Sequence, residues 1–217
     1  MTYPGPAFRE ERGEVLHAAI RGLYFGLLVT HPDGGYATSY LPWELDAARG
    51  PHGTLVGHLA RCNPQWRVPA EGADALVVFQ GPHAYVSPSW YPGKRGDPRQ
   101  VPTWDYLAVE ARGKLLMFDD EARLYDLLTR LTDRNEAGRA HRWRVTDAPD
   151  DYVRGEMRHI VGIELRIESL LGRYKLGQNR NAADREGARA GLAAAPTERE
   201  HEVARAIADA QRDSHGH

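Results

Sequence analysis

Residues 23–45 read LYFGLLVTHPDGGYATSYLPWEL, two strand-like runs separated by Pro32-Asp33-Gly34-Gly35. Turn-forming residues between runs of apolar and β-branched side chains predict a hairpin. The same pattern continues outward from it. GPHGTLVGHLA supplies a third run after another Gly/Pro break, and DALVVFQGPHAYVS supplies a fourth and a fifth on either side of Gly81-Pro82. VPTWDYLAVEARGKLLMF is a sixth. In IVGIELRIESLLGRYKL, Ile163, Leu165 and Ile167 alternate with Glu164, Arg166 and Glu168, as in a strand with one buried face. Six to seven strands in succession, with helices at their flanks, predict an α+β, mainly β fold. Its form is a mostly antiparallel barrel or sandwich with peripheral helices. The alternating strand–helix order of a doubly wound sheet is absent, and a Rossmann reading fails.

Two helices frame these strands. In FREERGEVLHAAIRG (residues 8–22) and the leucine after it, Val15, Leu16, Ala19, Ile20 and Leu23 fall at helical spacing. In residues 119–136 Leu124, Leu127, Leu128 and Leu131 recur at i, i+3, i+4 and i+7, with Asp119 and Asp120 at the positive amino end. From Asn181 onward the sequence is rich in Ala, Arg and Glu and predicts surface helix. PSWYPGKRGDPRQ, between the fifth and sixth runs, predicts a long exposed loop.

The 217 residues are enough to bury a core without covalent staples. A formal charge of −2 argues against nucleic-acid binding driven by the charge of the whole chain. Cys62 is the only cysteine, so there is no disulfide framework and no Cys-based zinc site. The amino terminus has no basic segment followed by an apolar stretch, and no apolar run is long enough to span a bilayer. A cytoplasmic protein without a membrane anchor is the expectation.

HLARCNPQW, residues 58–66, is the first candidate for chemistry. Arg61 closes a strand, and Asn63-Pro64 is a standard way to cap and start a helix. A guanidinium fork beside a helix amino terminus suits a phosphate; an exposed arginine beside a capped turn is the plainer alternative. Trp66, Tyr85, Trp90, Tyr91, Trp104 and Tyr106 lie in or beside turns, interleaved with Ser87, Ser89, Thr103 and Asp105. Such rings wall a flat ligand or fill an interface. GRYKLGQNR adds Lys175, Gln178, Asn179 and Arg180 just after a strand, either as a polar cluster or as a solvated strand end. Ten histidines include no HExxH and no i, i+4 pair, so no dedicated metal site is expected.

Together GHLARCNPQW, VVFQGPHAYVSPSWYP, VPTWDY, LTDRNE, IVGIE and KLGQNR…ADREG resemble the PaiB family of FMN-binding negative transcriptional regulators. The resemblance runs from about Tyr3 to Leu192. It implies a split β-barrel of the pyridoxamine-phosphate-oxidase-like class over residues 1–192, with 193–217 as a helical or flexible extension. It also implies a homodimer with FMN at the subunit interface. Position by position, Arg61 and Asn63 would hold the FMN phosphate, with His58, Leu59 and Ala60 close by. Ser39 and Tyr40 would approach the isoalloxazine ring or ribityl chain, and Gln80 would lie near the cofactor. Trp104 and the stretch holding Lys175, Gln178, Asn179 and Arg180 would reach it from the partner subunit. Promoter DNA would be met through Arg139, Arg142 and Arg144, or through another protein. Two alternatives keep the fold: a flavin-dependent oxidoreductase of small molecules, and a haem protein with a ligand such as His58.

Overall fold

The computed structural model describes residues 5–215; the remaining terminal residues of the expected domain and extension lie outside the described residues. The elements in chain order are β1 (Arg9–Glu10), α1 (Gly13–Leu23), β2 (Phe25–Thr30), β3 (Ala37–Pro42), β4 (Glu44–Asp46), β5 (Thr54–Ala60), β6 (Ala73–Val86), β7 (Thr103–Phe118), α2 (Glu121–Glu136), α3 (Asp150–Met157), β8 (Ile160–Lys175), α4 (Ala182–Ala193) and α5 (Glu198–His215). The strands form one sheet in the order β3-β2-β6-β7-β8-β5-β4, with β1 beside β8. The pairings β1–β8, β2–β3, β2–β6, β4–β5 and β5–β8 are all antiparallel. The molecule is a mixed α+β split barrel. Along the chain it divides into two compact units: residues 13–79 with 110–170, and the two chain ends with 80–109 and 171 onward.

In the first unit β2 and β3 form the expected hairpin, with Leu27 opposite Tyr40 and Val29 opposite Thr38. Gly34 holds a positive φ of 82° in the connecting turn, a conformation glycine adopts without steric cost. Leu28, Val77 and Phe79 are completely buried on one face of these strands. The sheet curls: a Cβ at Gly57 on β5 would lie 2.9 Å from Leu41 and 3.2 Å from Trp43, at the far end of the strand order. Only a hydrogen at that position lets the edges approach. Asp120 caps α2 by accepting from the Arg123 amide at 2.7 Å. Leu124, Leu127 and Leu131 then pack with Val56, Phe118, Val145, Val153 and Met157, so α2 and α3 cover one face of β5.

The expected fourth and fifth strands are one continuous strand, β6, of which residues 80–86 belong to the second unit together with residues 103–109 of β7. Gly81-Pro82 is no turn. A Cβ at Gly81 would stand 2.8 Å from the Leu107 side chain, so the glycine marks a close strand approach. The helices after Asn181 also differ from the expectation of a surface layer. Ala188, Leu192, Val203, Ala204 and Ile207 share a core with Ala84, Val86, Tyr91 and Leu176. Small residues do this work by allowing close approach: a Cβ at Gly191 would fall 2.3 Å from the Trp90 ring. No helix among the described residues is long and apolar enough to cross a membrane.

Candidate functional site

Residues 58–66 leave β5 and enter a single 3-10 turn, Pro64–Trp66, in place of the expected longer helix. Alternation along β5 separates the three residues before Arg61. His58 shares a face with Val56, toward α2 and α3; Leu59 is buried on the other face, and Ala60 is exposed. The His58 Nδ1 is buried without a hydrogen-bond partner, and burial lowers the pKa of the ring.

Arg61 is tied to the start of β8. Its amide donates to the His159 carbonyl at 2.7 Å, Nε donates to the Arg158 carbonyl at 3.0 Å and Nη2 to the Ile160 carbonyl at 2.9 Å. Nη2 also donates to Asp119 Oδ1 at 2.5 Å, and this bond raises the arginine pKa. The Arg61 carbonyl in turn accepts from Trp66 Nε1 at 2.9 Å, which closes the turn. Asn63 works elsewhere. Its Oδ1 accepts from the Gln65 amide at 3.0 Å and its Nδ2 donates to Ser39 Oγ at 2.8 Å. Ser39 donates onward to Gln65 Oε1 at 2.6 Å, and Gln65 Nε2 donates to Thr30 Oγ1 at 3.0 Å and the Ala37 carbonyl at 3.1 Å. Arg61 and Asn63 therefore share no partner: one grips β8, the other β3. Gln65 and Thr30, which the sequence did not single out, complete the network with 7% and 6% of their surface exposed. A polar residue immediately after a capped Asn-Pro was the only available signal.

Ser39 and Tyr40 point to opposite faces of β3. Ser39 faces inward beside Leu28, whereas Tyr40 is 70% exposed on the outer face. Around Tyr40 that outer face is apolar, with Phe25 exposed and Leu27, Val29, Leu76 and Val78 half-buried.

The remaining candidates belong to the second unit. Gln80 is exposed, its Nε2 3.4 Å from His83 Nδ1. Trp104, 54% exposed, stands with its ring centroid 6.1 Å from His83 and 6.4 Å from Tyr85 in an edge-on arrangement. Lys175 Nζ donates to Thr103 Oγ1 at 2.5 Å and to the Trp104 carbonyl, pinning the strand that carries the tryptophan. Its neighbour Asp105 is 3% exposed at 3.5 Å; burial raises the carboxyl pKa, opposed by the Lys175 charge. Gln178 closes the 174–178 turn, accepting from the Leu176 amide at 2.7 Å and donating to the Tyr174 carbonyl at 2.5 Å. Arg180 donates to Gln100 at 2.5 Å and lies 4.7 Å over the Tyr91 ring, while Asn179 is exposed. Tyr91 is itself buried, so it belongs to the core and not to an open ligand wall. Among the described residues no group of histidine, cysteine or carboxylate side chains is arranged to hold a metal.

Comparison with known proteins gives this geometry a family. The family described as "Putative FMN-binding domain" matches residues 2–169. The Bacillus subtilis "Protease synthase and sporulation protein PAI 2" is 34% identical over 177 residues, 82% of each chain. Two solved structures share the fold: an FAD and heme binding protein from Mycobacterium smegmatis (TM-score 0.56, 20% identity, covering 77% of this chain and 73% of that one), and the flavocytochrome Anf3 from Azotobacter vinelandii (TM-score 0.55, 13% identity, 77% and 69%). The motifs at residues 57–66, 77–92 and 101–106 thus sit on a split barrel with a PAI 2 relative aligned over 82% of each chain, and the chain belongs to the PaiB-type family built on this FMN-binding domain.

Proposed function

We propose that this protein binds FMN between two copies of itself and acts as a negative regulator of transcription of the PaiB type. The observation that carries the reading is the outer face of β3, β2 and β6, which presents apolar side chains around Tyr40 where a solvated sheet would present polar ones. The residues fit a flavin in kind. Tyr40, Tyr85 and Trp104 are exposed rings of the sort that cover a flat tricyclic group. Asn63, Ser39 and Gln65 hold β3 and the 62–66 turn in register, and Arg61 anchors that turn to β8. Arg61 is in this reading a positioning residue beside the phosphate, with Asn63 and the turn at the phosphate itself. Bound FMN would supply redox capacity; the chain would supply a dry seam and fixed polar edges.

The regulatory half of the proposal rests on the PAI 2 relative. Arg139, Arg142 and Arg144 lie between α2 and α3, beside Trp143 with 48% of its surface exposed. Arg139 pairs with Glu136 at 3.1 Å and Arg142 donates to the Ala137 carbonyl at 2.5 Å, which leaves Arg144 as the arginine most available for phosphate contact. The test combines the absorption spectrum of the purified protein with promoter-fragment binding at two salt concentrations. Flavin bands and binding that weakens with salt are expected. A colourless protein that takes up no FMN ends the cofactor reading; binding to no promoter fragment ends direct repression.

A further inference from the structure

A cleft of about 360 Å³ opens in the first unit where the end of β5, the start of α2 and the end of α3 meet. Its apolar lining is Leu124 and Met157, which are 3% and 4% exposed. Its walls carry the guanidinium groups of Arg61, Arg154 and Arg158 and the carboxylates of Asp119 and Glu121.

These charges are unequally engaged. Asp119 is taken by Arg61 at 2.5 Å. Glu121 is taken by Arg154, which also holds Asp150 at 2.7 Å. Among the described residues the Arg158 side chain has neither a hydrogen-bond nor an ion-pair partner. Its backbone, by contrast, is fixed, because Arg61 Nε holds the Arg158 carbonyl at 3.0 Å and the Arg61 amide holds that of His159 at 2.7 Å. Arg158 is exposed at the C-cap of α3 and lines the same cleft as Leu124 and Met157, so an unspent guanidinium on an anchored backbone shares one opening with apolar side chains. Guanidinium groups match carboxylate and phosphate oxygens in pairs, and an apolar lining takes the body of the same ligand.

We propose that this cleft is a second binding site, for a small organic anion with an apolar body. Arg158 pairs with the acid group, Arg154 and Arg61 flank it, and Leu124 and Met157 take the apolar part. The cleft shares Arg61 with the flavin reading, but the hydrogen bonds of Asn63 and the β3 network reach none of the residues that line it. FMN uptake by an Arg158 variant therefore tells the two sites apart.

The test is a ¹⁹F NMR titration of the whole protein with 4-fluorobenzoate and, separately, with 4-fluorophenyl phosphate; inorganic phosphate serves as a competitor without an apolar body. Saturable binding of at least one fluorinated probe is expected, weakened about tenfold or more in Arg158→Gln, with weaker competition by inorganic phosphate. The stronger of the two probes identifies the acid group. Circular dichroism and FMN uptake of Arg158→Gln are expected to match the wild type. Arg154→Gln is expected to weaken binding less, because Arg154 is already shared with two carboxylates. Linear, unsaturable shifts, equal affinity in Arg158→Gln, or inorganic phosphate binding as well as the aromatic probes would each overturn the proposal. Release of FMN by the probe would also overturn it, by placing the flavin in the cleft.

Discussion

Glu164 lies on β8 with 3% of its surface exposed, and three arginines converge on it: Arg49 at 2.7 Å, Arg166 at 3.1 Å and Arg123 in close contact. Burial alone would raise its pKa; the hydrogen bonds and charges of Arg49 and Arg123 overcome that and bring it down to about 2. A depressed carboxylate pKa contributes stability that is complete above the ordinary value near 4.5 and is lost as pH falls from there through about 2. Glu164→Gln is therefore expected to cost about 1–3 kcal/mol at pH 7, with the difference from wild type shrinking below pH 4.5. Urea titrations at pH 7 and pH 3 check it; a gap that does not narrow in acid would remove the ion network from the account. The strand pattern reads Glu164 as solvent-facing, and it is buried because Arg123 of α2 and Arg49, both distant in sequence, close on it. Local alternation holds no record of such cover. Arg61 poses a second question at this scale. Arg61→Ala is expected to weaken FMN binding about tenfold, or 1.4 kcal/mol, with the fold retained. Arg61→Lys should not restore it, since one ammonium cannot serve the Arg158 and Ile160 carbonyls and Asp119 in a fixed fork. Full rescue by lysine in a fluorescence titration would show that charge alone matters there.

At the level of elements, periodicity served best where side chains are large. The 23–45 hairpin, α2 and the alternating run in β8 are all visible as spacing of leucines, isoleucines and valines. It served poorly where contact depends on small size. Gly187 and Gly191 let α4 settle on the 88–90 turn, a Cβ at Gly187 standing 2.1 Å from the Trp90 carbonyl oxygen. In a sequence rich in Ala and Arg such positions look like solvated helix. The consequence is testable, because α5 fills the same core with Val203, Ala204 and Ile207. Ile207→Ala is expected to destabilise the protein by about 2–5 kcal/mol, as for other large-to-small changes at buried sites. Ending the chain after Ala195 should uncover Val86, Leu176 and Leu192 and yield an aggregating product. A soluble truncated protein with unchanged melting temperature would mean that this helix contributes nothing to the core. The candidate site shows the same division. HLARCNPQW was legible as a strand end running into a turn capped by Asn63, but Gln65, whose role is to bridge β2 and β3, carries no period and no motif of its own.

The whole molecule is where the apolar outer face of β3, β2 and β6 requires an explanation. Phe25, Leu27 and Val29 on β2 line up with Leu76 and Val78 on β6 and with Tyr40 on β3. A contiguous apolar patch of this kind marks a surface that something covers. A second copy related by a two-fold axis presents the identical patch to itself, and apolar cores are characteristic of such seams. If FMN is held there, assembly and cofactor retention are one event, so a charge on the seam should remove both. Leu27→Asp combined with Val78→Asp places four carboxylates in a two-fold seam. It is expected to give a folded monomer by light scattering that no longer retains FMN through gel filtration. Both positions are half-buried on the outer face, so the inner core of Leu28, Val77 and Phe79 stays intact and circular dichroism should be unchanged. The outcomes separate the two halves of the idea. A monomer that keeps its flavin would move the cofactor away from the seam, and a dimer that persists would move the seam to another face, with the rings of Tyr85 and Trp104 the next place to introduce charge.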